Sequence, residues 1–133
     1  MQNNAGKTAL GLDLNIGALL CYVNVCLPIG LVYSIIVLVT DKDNKLPRFH
    51  AFQSLLTTGL IVVLAILMQV VGIIGAIIDT AIGFPILSLG AYLLFLLIIL
   101  GVFVMIIIAA VKAFGGNIYK LPIVGSLADN WSN

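Results

Sequence analysis

The chain has 133 residues and a formal net charge of +1, with 62% of its residues hydrophobic and only 8% charged. Soluble domains use roughly 25% charged residues, so a soluble fold is excluded, and the near-neutral balance gives no reason to expect a nucleic-acid partner. One domain's worth of length is too little to enclose a transport path alone, so anything larger must be built by association.

Three stretches lack a formal charge: Leu14 to Thr40, Phe49 to Ile78 and Thr80 to Val111. Each exceeds the ~20 apolar residues that cross a ~30 Å hydrocarbon core. The sequence therefore predicts an all-α polytopic membrane protein with three transmembrane helices. Residues 1–12 are polar and without period, and read as a mobile tail. The first apolar run is much longer than the ~7–15 residues of a signal h-region, and is read as retained. Asp13 can cap the first helix, expected over 14–40, and Pro28 with Gly30 predicts a kink within it. Asn15 and Asn24 are expected to turn toward protein. Cys21 and Cys26, five apart in an apolar helix, point in different directions and are expected to stay unpaired.

Thr40 to Arg48 holds five of the eleven formal charges and Pro47, and reads as an aqueous loop. The second span is expected over 49–78, loosened at its far end by Gly72 and Gly75, with Gln69 near mid-membrane and Asp79 as a hydrated charge at its exit. A turn with Gly83 and Pro85 leads to the third span over 86–114, which Gly115 and Gly116 terminate. Residues 13–114 thus form a transmembrane domain and 115–133 an amphipathic interfacial tail, with Tyr119 and Trp131 at headgroup level and Pro122 and Gly125 interrupting a continuous helix.

With three crossings, Lys42, Lys45, Arg48, Lys112 and Lys120 share one face and Lys7 lies on the other, which places the first loop and the C-terminus in the cytoplasm or its equivalent. A second topology has the first segment entering and leaving at Pro28 and Gly30, with all six cations on one face. Such a re-entrant backbone needs protein to shield it.

The most distinctive cluster is Arg48-Phe49-His50-Ala51-Phe52-Gln53-Ser54. At about 100° per residue, His50, Gln53, Ser54 and Thr57 occupy about one third of the helix circumference. This polar stripe either bonds neighbouring helices, with Arg48 pairing to Asp41 or Asp43, or forms an ion path or a lipid-headgroup site. One histidine, no glutamate and no metal-ligand spacing predict a non-enzymatic chain with no cofactor. Two functions follow: a homo-oligomeric or accessory subunit of a membrane assembly, in contact with lipids and other membrane proteins, or a small oligomeric channel lined by the His50, Gln53 and Thr57 stripe.

Four pieces carry a resemblance: Gly-Leu-Asp-Leu-Asn at 11–15, Leu-Cys-Tyr at 20–22, Asp-Lys-Asp-Asn-Lys-Leu-Pro-Arg-Phe-His-Ala-Phe-Gln-Ser at 41–54 and Tyr-Lys-Leu-Pro-Ile-Val-Gly-Ser-Leu-Ala-Asp at 119–129. Together they resemble a family of small bacterial and archaeal membrane proteins that is similar to the magnetosome membrane proteins MamF and MmsF. More distantly, they are similar to the roughly twenty-kilodalton Tic subunit of the chloroplast translocon. The resemblance implies three or four helical spans without established chemistry, and a translocon-like or membrane-organising role. Residue by residue it points to Arg48, His50, Gln53 and Ser54, and in the tail to Leu121, Pro122 and Gly125.

Overall fold

A computed structural model describes residues 6–23 and 28–132; Asn24 and Cys26 lie outside the described residues. Among the described residues five helices follow in chain order: α1 (Leu14–Leu20), α2 (Ile29–Thr40), α3 (Lys45–Ile82), α4 (Ile86–Phe114) and α5 (Val124–Ser132). Among the described residues there is no sheet, only an isolated bridge between Lys7 and Asp13. Two of the helices, α3 with 38 residues and α4 with 29, are long and apolar enough to cross a membrane. Their outward side chains, among them Ile66, Leu67, Leu97 and Val111, are exposed in the isolated chain. Aliphatic surface on such a scale fits a hydrocarbon solvent.

The single kinked helix expected over 14–40 is replaced by two short ones. At 1.5 Å per residue the 12 residues of α2 reach only ~18 Å, short of a ~30 Å core. Pro28 stands at the N-cap of α2, where its missing N–H removes no helical bond. The chain before α1 returns to the first loop: Asn44 donates from Nδ2 to the Lys7 carbonyl at 3.2 Å. Lys7 and the first loop were expected on opposite faces, and here they touch. Gly6 to Leu12, expected as a mobile tail, forms a turn in which Thr8 N–H reaches the Leu12 carbonyl (2.7 Å) and Gly11 takes φ +79°. Asp13 is the α1 N-cap residue, yet its side chain makes no capping bond. Gly17 is where these pieces meet, because an added Cβ would stand 2.7 Å from Thr8 Cγ2 and 2.9 Å from the Tyr33 hydroxyl.

α3 begins before and ends after the expected span of 49–78. Pro47 falls in its first turn, where N–H groups have no intrahelical acceptor, so Lys45 to Arg48 join the helix. The far end runs past Asp79 to Ile82 and stops at Gly83, at φ +79°. α4 has the expected bounds. It ends in a Schellman motif: Asn117 N–H donates to Lys112 O and Gly116 N–H to Ala113 O, both at 2.9 Å, with Gly116 at φ 71°.

The chain divides into two compact units, one comprising the chain up to Thr57 with the chain from Met105 onward, the other Thr58–Val104. In the first, His50, Phe49, Gln53, Cys21, Val37 and Ala51 are fully or almost fully buried. In the second, Asp79 closes the helical hairpin: its carboxylate accepts Leu87 N–H (2.9 Å), Ser88 N–H (2.8 Å) and the Ser88 hydroxyl. Asp79 is thus the N-terminal cap of α4 instead of a hydrated exit charge. Gly72 and Gly75, expected to loosen α3, admit α4 instead, since a Cβ on Gly75 would lie 3.1 Å from Ser88 N and one on Gly72 2.9 Å from the Tyr92 hydroxyl.

Candidate functional site

The polar stripe at the start of α3 is the centre of the first unit. Helical spacing puts His50, Gln53, Ser54 and Thr57 on one side, and all four are buried. Each then needs a partner, because an unbonded polar group away from water costs about 1–3 kcal/mol.

The partners come from two distant segments. Tyr22, just beyond α1, places its hydroxyl 2.8 Å from His50 Nδ1. His50 Nε2 faces the Asn117 carbonyl at 3.2 Å. A carbonyl can only accept, so Nε2 carries the proton and Nδ1 accepts from the Tyr22 hydroxyl. Gln53 completes the circuit. Its Nε2 donates to the Tyr22 hydroxyl oxygen (2.8 Å) and to the Tyr119 carbonyl (3.0 Å), while its Oε1 accepts Leu121 N–H (3.1 Å). Both amide hydrogens and the amide oxygen are thereby engaged, and the imidazole is neutral. Ser54 donates to the Cys21 carbonyl and Thr57 to the Gln53 carbonyl, at 2.5 and 2.7 Å. Phe49 and Tyr22 wall the imidazole edge-on, with centroids at 5.1 and 5.5 Å.

Arg48 stands apart from this network. Its Nη1 donates to the Lys42 carbonyl at 2.6 Å, in place of the expected pairing with Asp41 or Asp43. Asp41 accepts instead from Asn44 Nδ2.

The tail is tied down along its length. Leu121, singled out in the sequence, contributes its backbone N–H to Gln53 and is buried. Pro122 begins a tight turn in which Val124 N–H reaches the Pro122 carbonyl and Gly125 N–H the Leu121 carbonyl. Gly125 has no room for a side chain, because a Cβ would lie 2.7 Å from Lys120 Cα. In α5, Asp129 bonds Lys120 Nζ at 2.7 Å and lies 3.4 Å from Lys45 Nζ, and Trp131 meets Phe52 edge-on at 5.9 Å. The Lys120 ammonium, hydrogen-bonded to Asp129, holds its carboxyl below the usual carboxylate range, and Lys45 adds to the effect. Sequence reasoning gave no role to Tyr22, to the Asn117 and Tyr119 carbonyls or to Asp129. Their only trace lay in the quoted pieces, Tyr22 within Leu-Cys-Tyr and Tyr119 and Asp129 as the two ends of the 119–129 piece.

Cys21 is a free, buried thiol that donates to the Gly17 carbonyl at 3.4 Å. Among the described residues no group of three or more His, Cys, Asp or Glu is gathered to hold a metal ion.

Fold and site together define a polytopic α-helical membrane protein whose C-terminal segment is hydrogen-bonded onto the start of a spanning helix. Residues 9–128 match the MamF/MmsF family, described as the magnetosome magnetite crystal formation protein family, and the chain belongs to it. It is 31% identical over 127 residues to the UPF0132 membrane protein MJ1443 of Methanocaldococcus jannaschii, covering 96% of each chain. The UPF0132 membrane protein MJ1527 of the same organism is 29% identical over 92% of this chain and 73% of its own length. A UPF0132 membrane protein of Archaeoglobus fulgidus is 29% identical over 76% of this chain and 82% of its own length. No solved structure gives a significant match.

Proposed function

We propose that the chain is a non-enzymatic subunit of a membrane assembly, self-associating or accessory to other membrane proteins, which organises membrane instead of transforming a substrate. The observation that carries this reading is the complete engagement of the polar stripe: His50, Gln53, Ser54 and Thr57 all bond within the chain. Groups so engaged act as glue, and a pore needs donors and acceptors turned to water. The family description, which links the MamF/MmsF proteins to crystal formation in a magnetosome, supports a role in a specialised membrane.

Reconstituted protein should leave liposomes tight to protons and small ions, and crosslinking in native membranes should trap one defined oligomer or one constant partner. An ion flux altered by His50→Ala would overturn the reading in favour of a channel.

For topology we infer that α3 and α4 are the two crossings and that α1 and α2 both lie on the side of the first loop, with 115–132 as a tail on that side. The Asn44 to Lys7 bond supports it. All six cations then share one face, cytoplasmic by the positive-inside rule. An impermeant amine reagent should label Lys7 and Lys45 from the same side of sealed vesicles. Labelling from opposite sides would restore the three-span arrangement, with the first segment as a bent crossing.

A further inference from the structure

Within Thr58–Val104, α3 carries a second line of residues that the hairpin with α4 leaves uncovered. Val62, Ile66, Gln69, Ile73, Ala76 and Thr80 follow one another at alternating intervals of four and three, and all six are exposed. At 100° per residue they fall within about 80° of the helix circumference, separate from the Gly72, Gly75 and Asp79 side that meets α4. Alternating three-four spacing is the seam pattern along which two helices pack knobs into holes.

Gln69 is the anomaly on this seam. It lies ten residues before Asp79, which at 1.5 Å per residue is ~15 Å, half the thickness of a ~30 Å hydrocarbon core. Its carboxamide makes no hydrogen bond within the described residues, and its side chain is exposed where the surrounding solvent is lipid. Two amide hydrogens and an oxygen acceptor at the bilayer centre cost free energy until they are paired.

We propose that this seam binds a second copy of the chain, with Gln69 of one copy hydrogen-bonded to Gln69 of the other. Two features select a copy as the occupant. A carboxamide is self-complementary, donor and acceptor at once, so two of them close a reciprocal pair. Copies inserted with one orientation hold α3 parallel, which brings every Gln69 to the same depth on a two-fold axis. A single polar residue in an apolar seam fixes register and number of strands, and the flanking aliphatic residues and Ala76 pack around it. The inference deepens the self-associating form of the proposed function and rests on it.

The test uses the full chain in lipid vesicles, with Cys21→Ala and Cys26→Ala as background. Oxidation should yield dimer from Val62→Cys and Ile73→Cys, and little from Leu67→Cys and Ile74→Cys, which are exposed off the seam. In energy-transfer measurements across a lipid dilution series, Gln69→Leu should weaken self-association roughly 3- to 20-fold, the range of interhelical hydrogen bonds in membranes, and Gln69→Asn should retain part of it. Because Gln69 has no hydrogen-bond partner among the described residues, Gln69→Leu should leave the helical content unchanged. Dimers that crosslink only off the seam, or that are indifferent to Gln69→Leu, would overturn this interface and leave the oligomer standing. Monomer at every dilution would overturn both. A different protein crosslinked at Val62→Cys in native membranes would replace the second copy as occupant and overturn the proposal.

Discussion

The Tyr22 hydroxyl and His50 Nδ1 stand 2.8 Å apart across 28 residues of sequence, and this bond fixes the protonation state of the chain's one histidine. With Nε2–H directed at the Asn117 carbonyl, a second proton on Nδ1 would leave the Tyr22 hydroxyl hydrogen without an acceptor. The imidazole is thus a structural connector between the α1 side and the tail.

Tyr22→Phe should strand His50 Nδ1 and one Gln53 N–H in a buried site, and Gln53→Leu should strand the Tyr119 carbonyl and Leu121 N–H. Each should destabilise the first unit by about 1–3 kcal/mol. Amide hydrogen exchange should report it as faster exchange at Leu121 in both variants, larger in Gln53→Leu, with exchange in the middle of α3 unchanged.

Acid should loosen the tail. Lys120 and Lys45 depress the Asp129 carboxyl, so their stabilisation is present above the carboxyl's unfolded value and is lost as pH falls through its lower folded value. Proteolysis after Lys120 should therefore accelerate on acidification below the usual carboxylate range. Asp129→Asn should cut faster at neutral pH and lose most of that dependence. Added salt should act in the same direction as acid, because both lysines are partly solvated.

Gly125→Ala places a methyl group 2.7 Å from the Lys120 backbone, which has no flexible end to give way. The turn from Leu121 to Val124 must shift, at a cost of about 1–3 kcal/mol. The expected readout is a loss of protection at Leu121 N–H and a lower thermal midpoint, with the hairpin of Asp79 and Ser88 unaffected.

Asp79→Ala should leave the Leu87 and Ser88 amides without their acceptor and lower the unfolding midpoint, whereas Asp79→Asn keeps one acceptor oxygen and should lower it less. The ordering of the two variants in steric-trap unfolding within bilayers checks the cap. Equal midpoints for wild type and Asp79→Ala would refute it.

How far the sequence revealed this molecule can be judged from particular residues. The bounds of α4 follow from Pro85 and the Gly115-Gly116 pair, because proline and glycine act through local backbone geometry. The side of α3 that becomes buried follows from 100° spacing alone, which groups His50, Gln53, Ser54 and Thr57. What these residues bond to was not legible, because Tyr22 and the Asn117 to Leu121 segment reach them only through tertiary folding. The same limit applies to 14–40, where continuous apolarity fits a bent crossing and a broken hairpin equally well. Asp79 misled because a carboxylate near a turn resembles a hydrated charge until the start of the next helix is seen beside it.

The 38 residues of α3 amount to a rod of ~57 Å, nearly twice the depth of the oil it crosses. Its first turns, to Thr57, carry the polar stripe and its partners, and the ~37 Å that remain to Ile82 suffice to cross with some lean.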